Sequence, residues 1–235
     1  MQNTSLHYDE NYFNLQKKTG IENATNIRGI FQPYILSNDV VLDFGCGGGF
    51  LLSTLKCRIK KGFDVNKIAL QSALNNGIEV YTDLEDIVDN SIDVIISNNA
   101  LEHINNPYEV LCKLKLKLKD RGKIIFRVPH ETIGWDYKKN NFDYHLFTWS
   151  PMSIGNLFNE CGYNVLEVKK EKKIKPPLNK ILRFFPLLQF VISKIYRLFR
   201  ILLEELKLRV CTCDGNSIVI AEKFEAKLNL KLSEI

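Results

Sequence analysis

The sequence predicts an α/β fold, a doubly wound and mostly parallel sheet with helices on both faces, in a single domain. Three observations lead there. Short apolar runs alternate with stretches of helical period from residue 40 to residue 169. The joins carry helix signals: Asn106-Pro107, Ser150-Pro151, Gly77 and Gly162. The composition, 45% hydrophobic and 25% charged over 235 residues, supports one sizeable core, and no Gly/Ser-rich or Pro-rich linker divides it.

Taken in order, VVLDF (40–44) is a strand followed by a helix over 48–56. RIKKGFDV (58–65) leads into the helical NKIALQSALNN, which Gly77 stops. IEVY (78–81) and SIDVIISN (91–98) are the next two strands. Asn106 caps a helix with proline at its first position, running to Lys119 and Gly122. Its KLKLKLK stretch has period two, so strand competes there, but the cap and the length favour helix. KIIFRVP (123–129) is a strand ended by proline, Ser150-Pro151 opens a helix, and YNVLEVK (163–169) and SIVIAEK (217–223) are two final strands. In such sheets, ligands bind beyond the carboxyl ends of the strands.

VVLDF ends in GCGGG, so a glycine turn stands at that edge. Gly45, Gly47, Gly48 and Gly49 allow positive φ and close approach of a ligand to backbone. A phosphate loop needs a lysine after its last glycine, and the next lysine is Lys56. The dinucleotide pattern needs a third glycine, where this chain has Phe50 and Leu52. Residues 41–55 hold no Lys or Arg and one acid, Asp43. That suits a cationic nucleoside without phosphates, and S-adenosylmethionine has that chemistry. Backbone N–H groups at the helix start can take its carboxylate, Asp43 can approach its ammonium, and Gly45, Cys46 and Gly47 of the turn are cofactor-binding candidates. Asp64, about twenty residues on at the end of the second strand, is placed for the ribose hydroxyls, with Val65 beside it. Asp64 can instead cap the following helix, which Asn66 can also do. Asp83 is positioned for the adenine amino group, Leu84 for the ring face, and Asn98 and Asn99 for the pocket edge.

DFGCGGG, GFDVN, IDVIISNNALEHINNP and RGKIIFRVP together resemble the successive motifs of class I S-adenosylmethionine-dependent methyltransferases, over about residues 38–130. The resemblance implies a seven-stranded sheet with the last strand antiparallel. HLFTWSPMSIGNLFNECGY (145–163) and DENYFNLQKKTG (9–20) are similar to a smaller bacterial group that serves surface-polysaccharide and glycan biosynthesis. On that footing Tyr12, Phe13 and Gln16 are a flap over the cofactor. The expected organisation is an N-terminal helical cap (1–36), a cofactor-binding core (38–130), an acceptor loop (131–150) and a helical insertion (176–210) before the last strand.

Methyl transfer asks the protein to position an acceptor and, for a hydroxyl, to take its proton. His103, just after the fourth strand, and His145, in the long connection PHETIGWDYKKNNFDYHLFTWSP, are the candidate bases, ahead of His130. His103 has a structural alternative, a hydrogen bond at a helix end. Trp135, Tyr137 and Tyr144, with Trp149, are candidates for stacking on a sugar or the adenine, or for plain loop packing.

The net charge is +5, and residues 178–209 carry all of it, with seven Lys or Arg against Glu204 and Glu205. The basic residues interleave with Leu, Ile and Phe at helical spacing, which argues against a nucleic-acid partner. Lys194, Arg197 and Arg200 argue against a membrane span. A lid over the domain's own substrate, a homodimer interface and a helix lying in a membrane surface all remain open for this segment. No secretory pattern starts the sequence, and six scattered cysteines without C-x-x-C fit a reducing cytoplasm and predict no metal site. The expected location is cytoplasmic, with contact to the inner face of the membrane as an option. The function these features predict is methyl transfer to a small-molecule or glycan hydroxyl. The rival readings are a lipid or quinone-like acceptor at the membrane surface, and a cofactor-binding sensor or assembly module that is no enzyme.

Overall fold

The computed structural model describes residues 10–131, 137, 143–172, 191, 194–195 and 215–224. A long helix, α1 (Glu10–Phe31), precedes a seven-stranded sheet. The strands are β1 (Val40–Phe44), β2 (Ile59–Phe63), β3 (Glu79–Tyr81), β4 (Ile92–Asn98), β5 (Leu118–His130), β6 (Tyr163–Lys172) and β7 (Gly215–Lys223). Among the described residues the α-helices between them include α2 (Phe50–Thr54), α3 (Lys67–Asn75), α4 (Pro107–Lys117) and α5 (Pro151–Glu160). The spatial order is β3-β2-β1-β4-β5-β7-β6. β1 to β5 pair in parallel, and β7 lies antiparallel to both β5 and β6. The doubly wound sheet with an antiparallel last strand is therefore as predicted.

All five residues of β1 are buried, because it sits between two strands and under helices on both faces. Side-chain alternation splits the core in two. Val40, Leu42 and Phe44 pack with Leu111, Leu114, Ile154 and Phe158 of α4 and α5. Val41 packs on the other face with Phe31, Leu52, Leu70 and Ala73 of α1, α2 and α3. Asp43 shares the Val41 side of the strand, two residues nearer the edge where ligands bind.

Local chemistry explains the joins. Asn66 caps α3, its side chain accepting from Ile68 and Ala69 N–H. Asn106 caps α4 through Glu109 N–H and Ser150 caps α5 through Ser153 N–H, each with proline at the helix start. The KLKLKLK stretch is helical to Lys117, two residues short of the predicted end at Lys119, and β5 begins at Leu118. Helical period turns Leu111, Leu114 and Leu118 inward and leaves Leu116 exposed. It also buries Lys117, whose Nζ reaches Asp89 at 2.7 Å. The insertion 176–210 lies outside the described residues apart from Val191, Lys194 and Ile195, which are helical and exposed. Among the described residues no helix is long and apolar enough to cross a membrane.

Candidate functional site

The glycine turn leaves β1 with Gly45 and Cys46 N–H both donating to the Phe63 carbonyl, at 2.8 and 3.0 Å. This staples the turn to the end of β2. Gly45 has φ +77°, and a Cβ there would lie 2.3 Å from the Cβ of Ala100. Gly45 is thus required both by conformation and by close packing against the segment after β4. Gly47, also at positive φ, faces open space. Its N–H donates to Asp64 Oδ2 at 2.7 Å, and Asp64 Oδ1 accepts from Asn66 N–H at 2.9 Å. Asp64 therefore bridges two loops at the ends of β1 and β2, while Asn66 alone caps α3. Burial pushes the Asp64 carboxyl up, against these backbone donors, which pull it down.

Asp43 is 2% exposed and its Oδ1 has no hydrogen-bond partner. Burial first, and the charge of Asp64 second, push its carboxyl up to about 8. A buried carboxyl oxygen left without a donor is costly, and a cationic group at the strand end would satisfy it. Cys46 is buried beside both acids, and its thiol is pushed well above the ordinary range, so it stays neutral. Val65 is exposed next to Asp64. Asp83 is exposed and accepts from Glu85 N–H, capping a short 3₁₀ turn. Leu84 is buried in the core cluster of the α4 and α5 face. Asn98 and Asn99, at the end of β4, both accept from Arg127 Nη1, at 3.0 and 2.9 Å. Arg127 also pairs with Glu171 of β6 at 2.7 Å, and Asn216 of β7 donates to the same carboxylate. The carboxyl end of β4 is thereby tied across four strands. Phe13 is buried and stacks with Phe50, centroids 6.5 Å apart, so α1 packs over the turn that follows the glycines. The side chains of Tyr12 and Gln16 lie outside the described residues.

A second cluster forms where the segment after β4 meets the end of the long connection. His103 and His145 pack edge to face, centroids 5.0 Å apart. Their Nε2 atoms lie 3.8 and 4.0 Å from the same oxygen of Glu102. Glu102 is fully buried with neither carboxyl oxygen hydrogen-bonded, and burial pushes it up to about 8. Its carbonyl accepts from Leu146 and Phe147 N–H, at 2.9 and 3.2 Å, which brings His145 to it. His145 Nδ1 meets Glu131 Oε1 at 2.5 Å, and His103 Nδ1 meets the Tyr144 carbonyl at 3.3 Å. Ligand-type atoms of Glu102, His103 and His145 lie within 4.8 Å of one another, which is close enough to share a divalent cation. No cysteine or histidine spacing in the sequence signals this group. His130 stands elsewhere, its Nδ1 facing the Trp149 carbonyl at 3.2 Å. Trp149 is buried and stacks on Phe147, whereas Tyr137 and Tyr144 are exposed. Trp135 lies outside the described residues.

The sequence reading missed Glu102, Glu131 and Arg127. Glu102 stood next to His103 in LEH and Glu131 next to His130 in PHE, so adjacency to histidine was the available signal. The pairing of Arg127 with β6 had none.

Fold and turn together define a nucleoside-binding domain of the doubly wound α/β class. A family model described as a methyltransferase domain matches residues 19–168, and the chain belongs to that family. It is 28% identical over 165 residues to the ubiquinone biosynthesis O-methyltransferase of Rickettsia conorii, covering 57% of this chain and 55% of that enzyme. The matched stretch thus spans little more than half of that relative's length. Among solved structures, a Haloferax volcanii putative methyltransferase complex with the Trm112 activator superposes with a TM-score of 0.61 at 18% identity. That match covers 94% of this chain and 96% of the other. A Haemonchus contortus phosphoethanolamine N-methyltransferase 2 in complex with S-adenosyl-L-methionine superposes with a TM-score of 0.56 at 15% identity. It covers 85% of this chain and 53% of that one. At these identities the structural likeness concerns the fold.

Proposed function

We propose that the protein transfers a methyl group from S-adenosylmethionine to a hydroxyl of a small-molecule acceptor. The observation that carries this is the orphaned, buried Asp43 carboxylate beside a glycine turn with no Lys or Arg within reach in sequence. Such a turn disfavours phosphates and favours a cationic nucleoside. Asp43 would hold the ammonium and Asp64 the ribose, while the N–H groups of Gly45, Cys46 and Gly47, already bonded to the Phe63 carbonyl and Asp64, would keep the turn in shape rather than take the carboxylate. Bound there, the cofactor supplies an activated methyl on a sulfonium. Ala100 touches Gly45, and Glu102 and His103 follow directly, so an acid–imidazole cluster stands next to the turn. His145, with Nδ1 already on Glu131, is the better-equipped base for an acceptor hydroxyl, and His103 lines the same site. As the hydroxyl oxygen gains the methyl, its proton passes to imidazole Nε2.

The acceptor class has one finding in its favour. The named relatives are ubiquinone biosynthesis enzymes, which favours a phenolic, quinol-type hydroxyl over a sugar hydroxyl. A glycan acceptor keeps the weaker resemblance of residues 145–163 and 9–20. Titration calorimetry with S-adenosylhomocysteine tests the cofactor reading: micromolar binding is expected in the wild type and loss in Asp64→Ala. Wild type that fails to bind rules the reading out. Incorporation of labelled methyl into 3,4-dihydroxybenzoate rather than into free hexoses supports the phenolic class.

A further inference from the structure

We infer that Glu131 is the positioning residue of the acceptor site: it fixes which nitrogen of His145 carries the proton, and so aims the bare Nε2 at the space beside Glu102 and His103. The inference rests on the methyl-transfer reading for its purpose, but its geometry stands independently.

A carboxylate only accepts hydrogen bonds, so the 2.5 Å contact of Glu131 Oε1 with His145 Nδ1 places the proton on Nδ1. The lone pair is then on Nε2. Free imidazole has no such fixed choice, and a ring with the wrong tautomer presents N–H where a base is needed. Three further observations hold the pair in place. Glu131 N–H donates to Thr148 Oγ1 at 2.8 Å, which ties the start of the long connection to its end. Glu102 carbonyl grips the two residues after His145. The rings of His103 and His145 pack edge to face, which fixes the His145 plane. Nε2 faces Glu102 at 4.0 Å, beyond hydrogen-bond distance, so no protein group in the described residues occupies its lone pair. The charged and titratable groups that act on this spot are Glu131, Glu102, His103, Asp143 and Arg127. Three acids and two imidazoles, with the one guanidinium already paired to Glu171, suit a neutral acceptor that donates hydrogen bonds better than a phosphorylated or carboxylated one.

The test reads the His145 ring directly by long-range ¹H–¹⁵N correlation on labelled full-length protein. Wild type is expected to show the Nδ1–H tautomer. Glu131→Ala is expected to lose it, while Glu131→Gln, whose amide oxygen can still accept, retains it. Both variants should keep S-adenosylhomocysteine affinity within about twofold of wild type. A wild-type ring protonated on Nε2, or a His145 spectrum indifferent to residue 131, overturns the inference. So does Mn²⁺ at stoichiometric levels broadening His103 and His145 together, because a cation then takes the Nε2 lone pair. Failure of wild type to bind S-adenosylhomocysteine would instead remove the methyl-transfer reading, and leaves the tautomer result to be read by itself.

Discussion

The glycine turn at 45–49 and the acid–imidazole cluster around Glu102 touch through Gly45 and Ala100, yet the chain builds them in different ways. The turn comes from one contiguous motif plus Asp64, and its backbone N–H groups at 45–47 are spent on the Phe63 carbonyl and Asp64, which fixes it between β1 and β2. The cluster draws side chains from positions 102, 103, 131 and 145, and the end of a long connection must fold back to complete it. Both contain a buried carboxyl without a donor, Asp43 in one and Glu102 in the other. On the methyl-transfer reading proposed above, the turn would serve the cofactor and the cluster the acceptor. A turn held by backbone bonds is local in sequence, whereas a cluster completed by side chains from a long connection sits on the part of the chain that varies most readily.

The largest effect expected from breaking this division is at His145. Removing a general base costs about 10²–10⁴-fold in turnover. His145→Ala should lower kcat by that order with S-adenosylhomocysteine affinity unchanged, whereas His103→Ala should cost less. A parallel loss of cofactor affinity in His145→Ala would show that the two regions are not separable. Next comes Asp43→Asn, with opposite signs in two assays. It should weaken S-adenosylhomocysteine binding roughly 10–100-fold through loss of a charge-assisted contact. It should also stabilise the protein without ligand by about 1–3 kcal/mol, since a buried orphan carboxyl is removed. Chemical denaturation and calorimetry measure the two. Gly45→Ala should destabilise by about 1–3 kcal/mol, from positive φ and the clash with Ala100. Ala100→Gly in the same chain should recover the steric share and leave the conformational share, a coupling that a double-mutant cycle reads.

The smallest effect is on pH dependence. Asp43 and Glu102 both titrate near 8 in the folded protein, above the ordinary carboxyl range near 4, because burial penalises their ionised forms. Between those values the folded state holds protons that the unfolded state has released, so this share of stability is full below about pH 4 and falls as pH rises to about 8. Ligand binding should reverse the trend at Asp43, because an ammonium favours the carboxylate. S-adenosylhomocysteine binding near pH 7 should therefore release a proton, visible as a buffer-dependent binding enthalpy. Asp43→Asn should abolish that dependence.

The parallel part of the sheet was legible because buried parallel strands read as unbroken apolar runs between capped helices, as in VVLDF and SIDVIISN. The turn was legible for a related reason: glycine spacing and the missing lysine are local facts. Asp64 stood out as an acid at the end of the second strand, but its grip on Gly47 N–H did not, since that bond joins two loops 17 residues apart. Leu84 shows the limit of assigning a face from position alone, because the residue after a strand end can turn into the core as readily as toward a ligand. The cluster was half legible. His103 and His145 stood out by residue type, but nothing in a one-dimensional pattern brings 131 and 145 onto one ring, and the buried glutamate looked like any polar neighbour of a histidine.

β7 fills the gap between β5 and β6, and among the described residues it is the last strand. A nascent chain emerging from the ribosome can assemble β1 to β5 from near neighbours in sequence. β6, however, must wait without a partner until residues 215–223 appear. The Arg127–Glu171–Asn216 bridge cannot close before then. In a growing polypeptide the order of synthesis thus sets the order of assembly: the nucleoside half comes first, and the strand pair that braces its rim comes last.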